Sequence, residues 1–181
     1  MKPHSRKLGV TAHVTFSVGW LGADAGFLVL AIVGLASQDV QQVRAAYLAM
    51  EWIGWFVIVP FSFAALLTGL VLALGTPWGL FQRYWIVTKF ILTLGAIFVL
   101  LVHTNAMGEA ASRVSGATEE TLSGVMAHLH ASSAGGHLGD VQLQLVAAAG
   151  AGLLVLLTTT TLGVCKPWGR TAYGRRKVLQ P

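Results

Sequence analysis

The chain has 181 residues, of which 55% are hydrophobic and only 10% charged, and its formal net charge is +5. Soluble domains are about a quarter charged, so this composition argues against a water-soluble enzyme, a disordered tail and a nucleic-acid-binding module. A single cysteine, Cys165, excludes an internal disulfide framework and a cysteine-based zinc finger.

A bilayer core of about 30 Å takes about 20 apolar residues in helix. Four stretches meet that requirement, in chain order 8–36, 51–74, 83–103 and 141–165. The first contains His13 and Asp24 as its ionisable residues, the second contains Pro60, the third is interrupted by Lys89, and the fourth carries Thr158 to Thr161. Runs this long and this continuously apolar are helices, because barrel strands alternate. The first run is too long for the apolar region of a cleaved signal peptide. The expected fold is all-α: one integral membrane domain over 1–181, a four-helix bundle.

The basic residues set the orientation. Lys2, Arg6, Lys7, Arg83, Lys166, Arg170, Arg175, Arg176 and Lys177 fall on one side, and only Arg44 and Arg113 on the other, which holds six of the seven acids instead. Both termini are therefore expected in the cytoplasm, in a multi-pass protein of the cell membrane. Trp52 and Trp55 suit an outer aromatic belt, and Trp78, Trp85 and Trp168 an inner one. The outer loop, 104–140, is expected to hold a short helix over Thr118 to His130, with Glu119 and Glu120 in its first turn, followed by a Ser/Gly-rich stretch from Ser132 to Gly139. Pro77-Trp78-Gly79 after the second span and Pro167-Trp168-Gly169 after the fourth fit a duplicated two-helix unit, and fit coincidence as well.

Ionisable residues inside a bilayer are costly and turn inward, toward partners or a function. His13, Ser17, Trp20 and Asp24 are spaced 4, 3 and 4 apart and so share one helical face. They form a polar stripe suited to holding a cofactor or relaying protons, or else a simple His–Ser contact beside a packing Trp. Lys89 lies so near a helix start that its ammonium is expected to snorkel to the interface. His103 marks the outer boundary of the third span. It lies about 21 Å from Lys89 along the helix, and its depth keeps it from sharing a metal with His13. The outer loop adds His128, His130 and His137, with Met107 and Met126. Histidine with methionine suits copper, and imidazole alone suits haem iron, copper or zinc.

The stretches His13 to Ala23 (HVTFSVGWLGA), Gly75 to Leu80 (GTPWGL), Tyr84 to Phe90 (YWIVTKF) and Lys166 to Arg170 (KPWGR) resemble a group of uncharacterised actinobacterial four-helix membrane proteins, a domain of unknown function. The likeness covers most of the chain outside the outer loop. More loosely, a His followed by Trp-x-Gly in the first helix is similar to the copper-resistance-D type and to small b-type haem membrane proteins. The resemblance implies a further histidine early in the fourth helix. Val146 to Ala149 contains none, which leaves a bis-histidine site short of a ligand.

The functional expectation is a membrane protein that binds haem b or a metal ion, copper included. His13 and His103 would be its ligands, with Trp20 and Ser17 beside them and His128, His130 and His137 as an outer metal set. Its role would be redox or small-ligand binding, an oxidoreductase being the natural extension, with a redox partner the sequence does not identify. The alternative is a cofactor-free transport or complex-assembly subunit in which Asp24, Lys89 and His13 pair across helices. Four short spans enclose little volume, so a homodimer is expected for transport.

Overall fold

A computed structural model of the chain describes residues 3–75, 83–115 and 137–165, and nearly all of them are helical. Helix α1 is Pro3–Ala36, α2 is Val40–Ile53, α3 is Val59–Gly75, α4 is Tyr84–Ser115 and α5 is His137–Cys165. A five-residue π-helical turn, Gly54–Ile58, joins α2 to α3, so Val40–Gly75 forms one 36-residue rod. Four helices are long and apolar enough to cross a membrane: Pro3–Ala36, Val40–Gly75, Tyr84–Thr104 and Leu143–Cys165. At 1.5 Å per residue α1 is about 51 Å long, so its ends reach beyond the hydrocarbon.

The second span begins well before the expected residue 51, and the 1–2 connection shrinks to Ser37, Gln38 and Asp39. Asp39 caps α2. Its backbone is extended, and its carboxylate accepts hydrogen bonds from the Gln41 N–H at 2.9 Å and the Gln42 N–H at 3.4 Å. The Ser37 hydroxyl accepts the Asp39 N–H at 3.1 Å and closes the turn. Buried Val43, Ala46, Tyr47 and Met50 recur at helical spacing and bind α2 to the bundle. Gly34 of α1 makes room for the Tyr47 ring: a side-chain carbon there would lie 2.9 Å from Tyr47 Cζ.

The π turn has a local cause. Pro60 has no N–H to donate, and its ring would clash with the carbonyl four residues back in an α-helix. The wider turn just before it relieves that clash, and the Val59 N–H reaches back five residues to the Gly54 carbonyl.

Around the bundle each span packs on two neighbours: α1 on the α2–α3 rod and on α5, and α4 on the same two. The core runs down the centre through Trp20, Phe27, Ala31, Tyr47, Met50, Ile58, Ile97, Leu145 and Leu156. Phe16 meets Phe61 edge to face at 5.6 Å. Large apolar side chains such as Val18, Val29, Leu67, Phe98 and Leu154 point outward. This is normal toward lipid and far too much apolar surface for water. Trp52 and Trp55 are exposed, and Trp52 stacks on Phe56 at 5.1 Å, in keeping with an interfacial belt.

Two boundaries differ at the other connection. The third helix continues to Ser115, beyond the expected end at 103, and α5 starts at His137, inside the stretch read as a Ser/Gly loop. The expected helix over 118–130 and both Pro-Trp-Gly motifs lie outside the described residues.

A candidate ligand cavity at the basic end of the bundle

All four spans contribute to a cavity of 410 Å³ at the end where α1 begins and α5 finishes. Binding pockets for small molecules typically span about 300–1,000 Å³. α1 presents Arg6, Val10, His13, Ser17 and Trp20, one face at helical spacing. α3 adds Ala65 and Gly69, α4 adds Trp85, Lys89, Phe90 and Thr93, and α5 adds Leu156, Thr159, Thr160 and Gly163. The polar stripe read from the sequence therefore lines a real space as far as Trp20, with Asp24 one turn further on.

His13 is held in one tautomer. Its Nδ1 lies 3.0 Å from the Ala65 carbonyl oxygen, which can only accept, so Nδ1 carries the proton. The Thr68 hydroxyl, 3.2 Å from the same nitrogen, donates its own hydrogen to the Ala64 carbonyl at 2.6 Å and turns a lone pair toward the ring. In the neutral ring Nε2 then keeps its lone pair, the arrangement that metal-binding imidazoles use. The ring lies over Gly69, where a side-chain carbon would sit 3.0 Å from Cε1. These supports on the second span were missed in the sequence, where only Pro60 and the belt residues Trp52 and Trp55 were noted. The adjacent Thr68-Gly69, a small polar residue beside a gap in mid-span, was the available signal.

The Lys89 ammonium reaches into the bundle near the end of α5, its Nζ 2.9 Å from the position of a side-chain carbon on Gly163. Among the described residues neither Lys89 nor Arg6 pairs with a carboxylate, and no acid lines the cavity. The walls thus combine apolar side chains with the half-buried Lys89 and the exposed Arg6, a lone pair on His13 and hydroxyls. The hydrogens of Thr159 and Thr160 are both spent on the Leu156 carbonyl, at 2.9 and 2.8 Å, so these side chains offer acceptors only.

His103 is not part of this site. Half-buried, it donates from Nδ1 to the Val99 carbonyl of its own helix at 2.8 Å, and it does not line the cavity. His128 and His130 lie outside the described residues. His137 begins α5, but its side chain is outside them too. No group of three or more His, Cys, Asp or Glu comes together among the described residues. Nor do Asp24, Lys89 and His13 form ion pairs with one another.

This donor set can be tested against the two expected cofactors. A copper ion held by protein alone needs several converging ligands, which the described residues do not provide. Haem iron brings four nitrogens with it and needs one or two protein ligands, and its ring is apolar with anionic carboxylates at one edge. One imidazole with a fixed tautomer, apolar walls and two cations that pair with no carboxylate among the described residues fit that requirement. Comparisons with protein-family models, curated proteins and solved structures find no match for the chain.

Proposed function

We propose that the chain is a multi-pass protein of the cell membrane, with both termini in the cytoplasm, that binds haem b in the cavity at its cytoplasmic end. His13 would ligate the iron, Arg6 and Lys89 would hold the carboxylates, and Trp20, Phe90 and Leu156 would supply apolar walls. Ala65 and Thr68 keep Nδ1 protonated and so keep Nε2 available. When bound, the group would supply an iron centre able to carry an electron or hold a small ligand. The observation that carries this reading is the imidazole fixed by Ala65 in a cavity that also holds Lys89, which pairs with no carboxylate among the described residues, since an unpaired cation within a membrane calls for an anion. The orientation rests on the lysine and arginine asymmetry.

The absorption spectrum and iron content of the detergent-purified protein, produced with haem supplied, test the proposal. A Soret band with one iron per chain is expected, lost in His13→Ala and kept in His103→Ala. A colourless protein free of iron refutes it. It would leave the cofactor-free reading, although the ion pairs that reading invoked are not formed among the described residues.

A further inference from the structure

Asp24 lies outside the cavity, and haem binding makes no use of it. It is the only acid in α1 and stands near the middle of the first span. It is 8% exposed, and its Oδ2 is sealed from solvent with no hydrogen-bond partner. The carboxyl rests on the backbone of α5. A side-chain carbon at Gly152 would sit 3.1 Å from Oδ2 and 3.4 Å from Oδ1, so glycine leaves the space the carboxyl fills.

Among the described residues nothing balances a charge there. On α1 the nearest titratable side chain is His13, eleven residues or about 16 Å away along the axis. The described titratable residues of the packed elements are Arg44, Tyr47 and Glu51 on α2, Tyr84, Lys89 and His103 on α4, and Cys165 at the far end of α5. The π turn and α3 have none. Asp24 is paired with none of them. A bare carboxylate buried in this way carries a large solvation penalty, and such a group neutralises instead. A metal cation would need about six oxygen ligands, whereas the described residues supply this one carboxyl and helix carbonyls already engaged. A proton needs a single oxygen.

The cavity comes close to this carboxyl. Trp20 and Leu156 are the deepest lining residues of α1 and α5. Asp24 and Gly152 are four residues further along the same two helices, about 6 Å. Ser17 and His13 continue the same face of α1 to the mouth. We infer that Asp24 is an exchangeable proton-binding site in the middle of the membrane, reached from the basic-end cavity past Trp20. This site is independent of any bound haem.

Hydrophobic carbodiimide labelling tests it directly. The carboxylic proton adds to one carbodiimide nitrogen and the carboxyl oxygen to the central carbon. Acyl migration to nitrogen then leaves a stable adduct with no leaving group. Treating the full-length protein in bilayers with dicyclohexylcarbodiimide should add one reagent mass to the peptide containing Asp24, a result that needs no variant. The infrared spectrum should show a protonated-acid carbonyl band that moves in deuterium oxide, is missing in Asp24→Asn and shifts in Gly152→Ala. Deuterium exchange of that band should slow several-fold in Ser17→Phe, which narrows the cavity. An unmodified Asp24 peptide, or an acid band unchanged in Asp24→Asn, overturns the proton site. An exchange rate unchanged in Ser17→Phe overturns the route. Haem content does not enter either reading.

Discussion

The ammonium of Lys89 rests on Gly163, its Nζ 2.9 Å from where a side chain on that glycine would begin. The same relation recurs twice: His13 lies on Gly69 of α3 and Asp24 on Gly152 of α5. Small residues in membrane helices usually let backbones approach one another. Here they make room for polar side chains, so that each ionisable group of the bundle interior rests on a gap in a neighbouring helix.

Replacing Gly163 by leucine should push the Lys89 ammonium out of the cavity while the four helices persist. Alanine should be milder, because the tip of a lysine is flexible and can swing aside. With haem retention as the readout, the expected order is wild type, Gly163→Ala, Gly163→Leu, with Lys89→Ala close to the last. Leucine-substituted protein that retains haem as wild type does would separate Lys89 from the ligand.

Gly69→Val should displace the His13 ring and break its bond to Ala65. Losing one such hydrogen bond costs about 1 kcal/mol, and the added bulk costs about 1–3 kcal/mol more. Thermal unfolding in detergent should report the stability loss. A Soret maximum that shifts or vanishes would show that the imidazole, and not only the packing, had moved.

Asp39→Ala removes the cap of α2 and should lower stability by about 1 kcal/mol with no effect on bound ligand, because the turn lies at the opposite end from the cavity. Asp39→Asn should restore most of the loss. Chemical denaturation of the three proteins side by side checks both expectations.

Cys165, exposed at the end of α5, gives a direct reading of orientation in the unmodified protein. A membrane-impermeant maleimide should label it in inside-out vesicles and fail to do so in intact cells. Labelling from outside the cell would invert the proposed topology.

Much of the bundle was legible because continuous apolar runs and isolated ionisable residues carry strong signals. The first span and the shared face of His13, Ser17, Trp20 and Asp24 could be read directly. The helix over 40–53 was missed because Gln41, Gln42, Arg44 and Glu51 dilute its hydropathy. Its spacing of Val43, Ala46, Tyr47 and Met50 and the capping Asp39 were nevertheless visible. For Lys89 the sequence suggested only that its side chain runs toward the helix start, and the space at Gly163 exists only once α4 meets α5. The Ala65 carbonyl beyond His13 was out of reach of any motif, since every residue supplies a carbonyl and only packing selects one.

The π turn before Pro60 amounts to one residue more than a regular helix would use, and it changes the angular phase of everything downstream. A one-residue change rotates the following helix by about 100°. Shortening 54–58 by a single residue would therefore turn Ala65, Thr68 and Gly69 away from His13 without altering any of them. The chemistry of the imidazole is thus set in part by a backbone irregularity two to three turns distant, and relatives of this chain should tolerate exchanges of side chain there far better than a change in length.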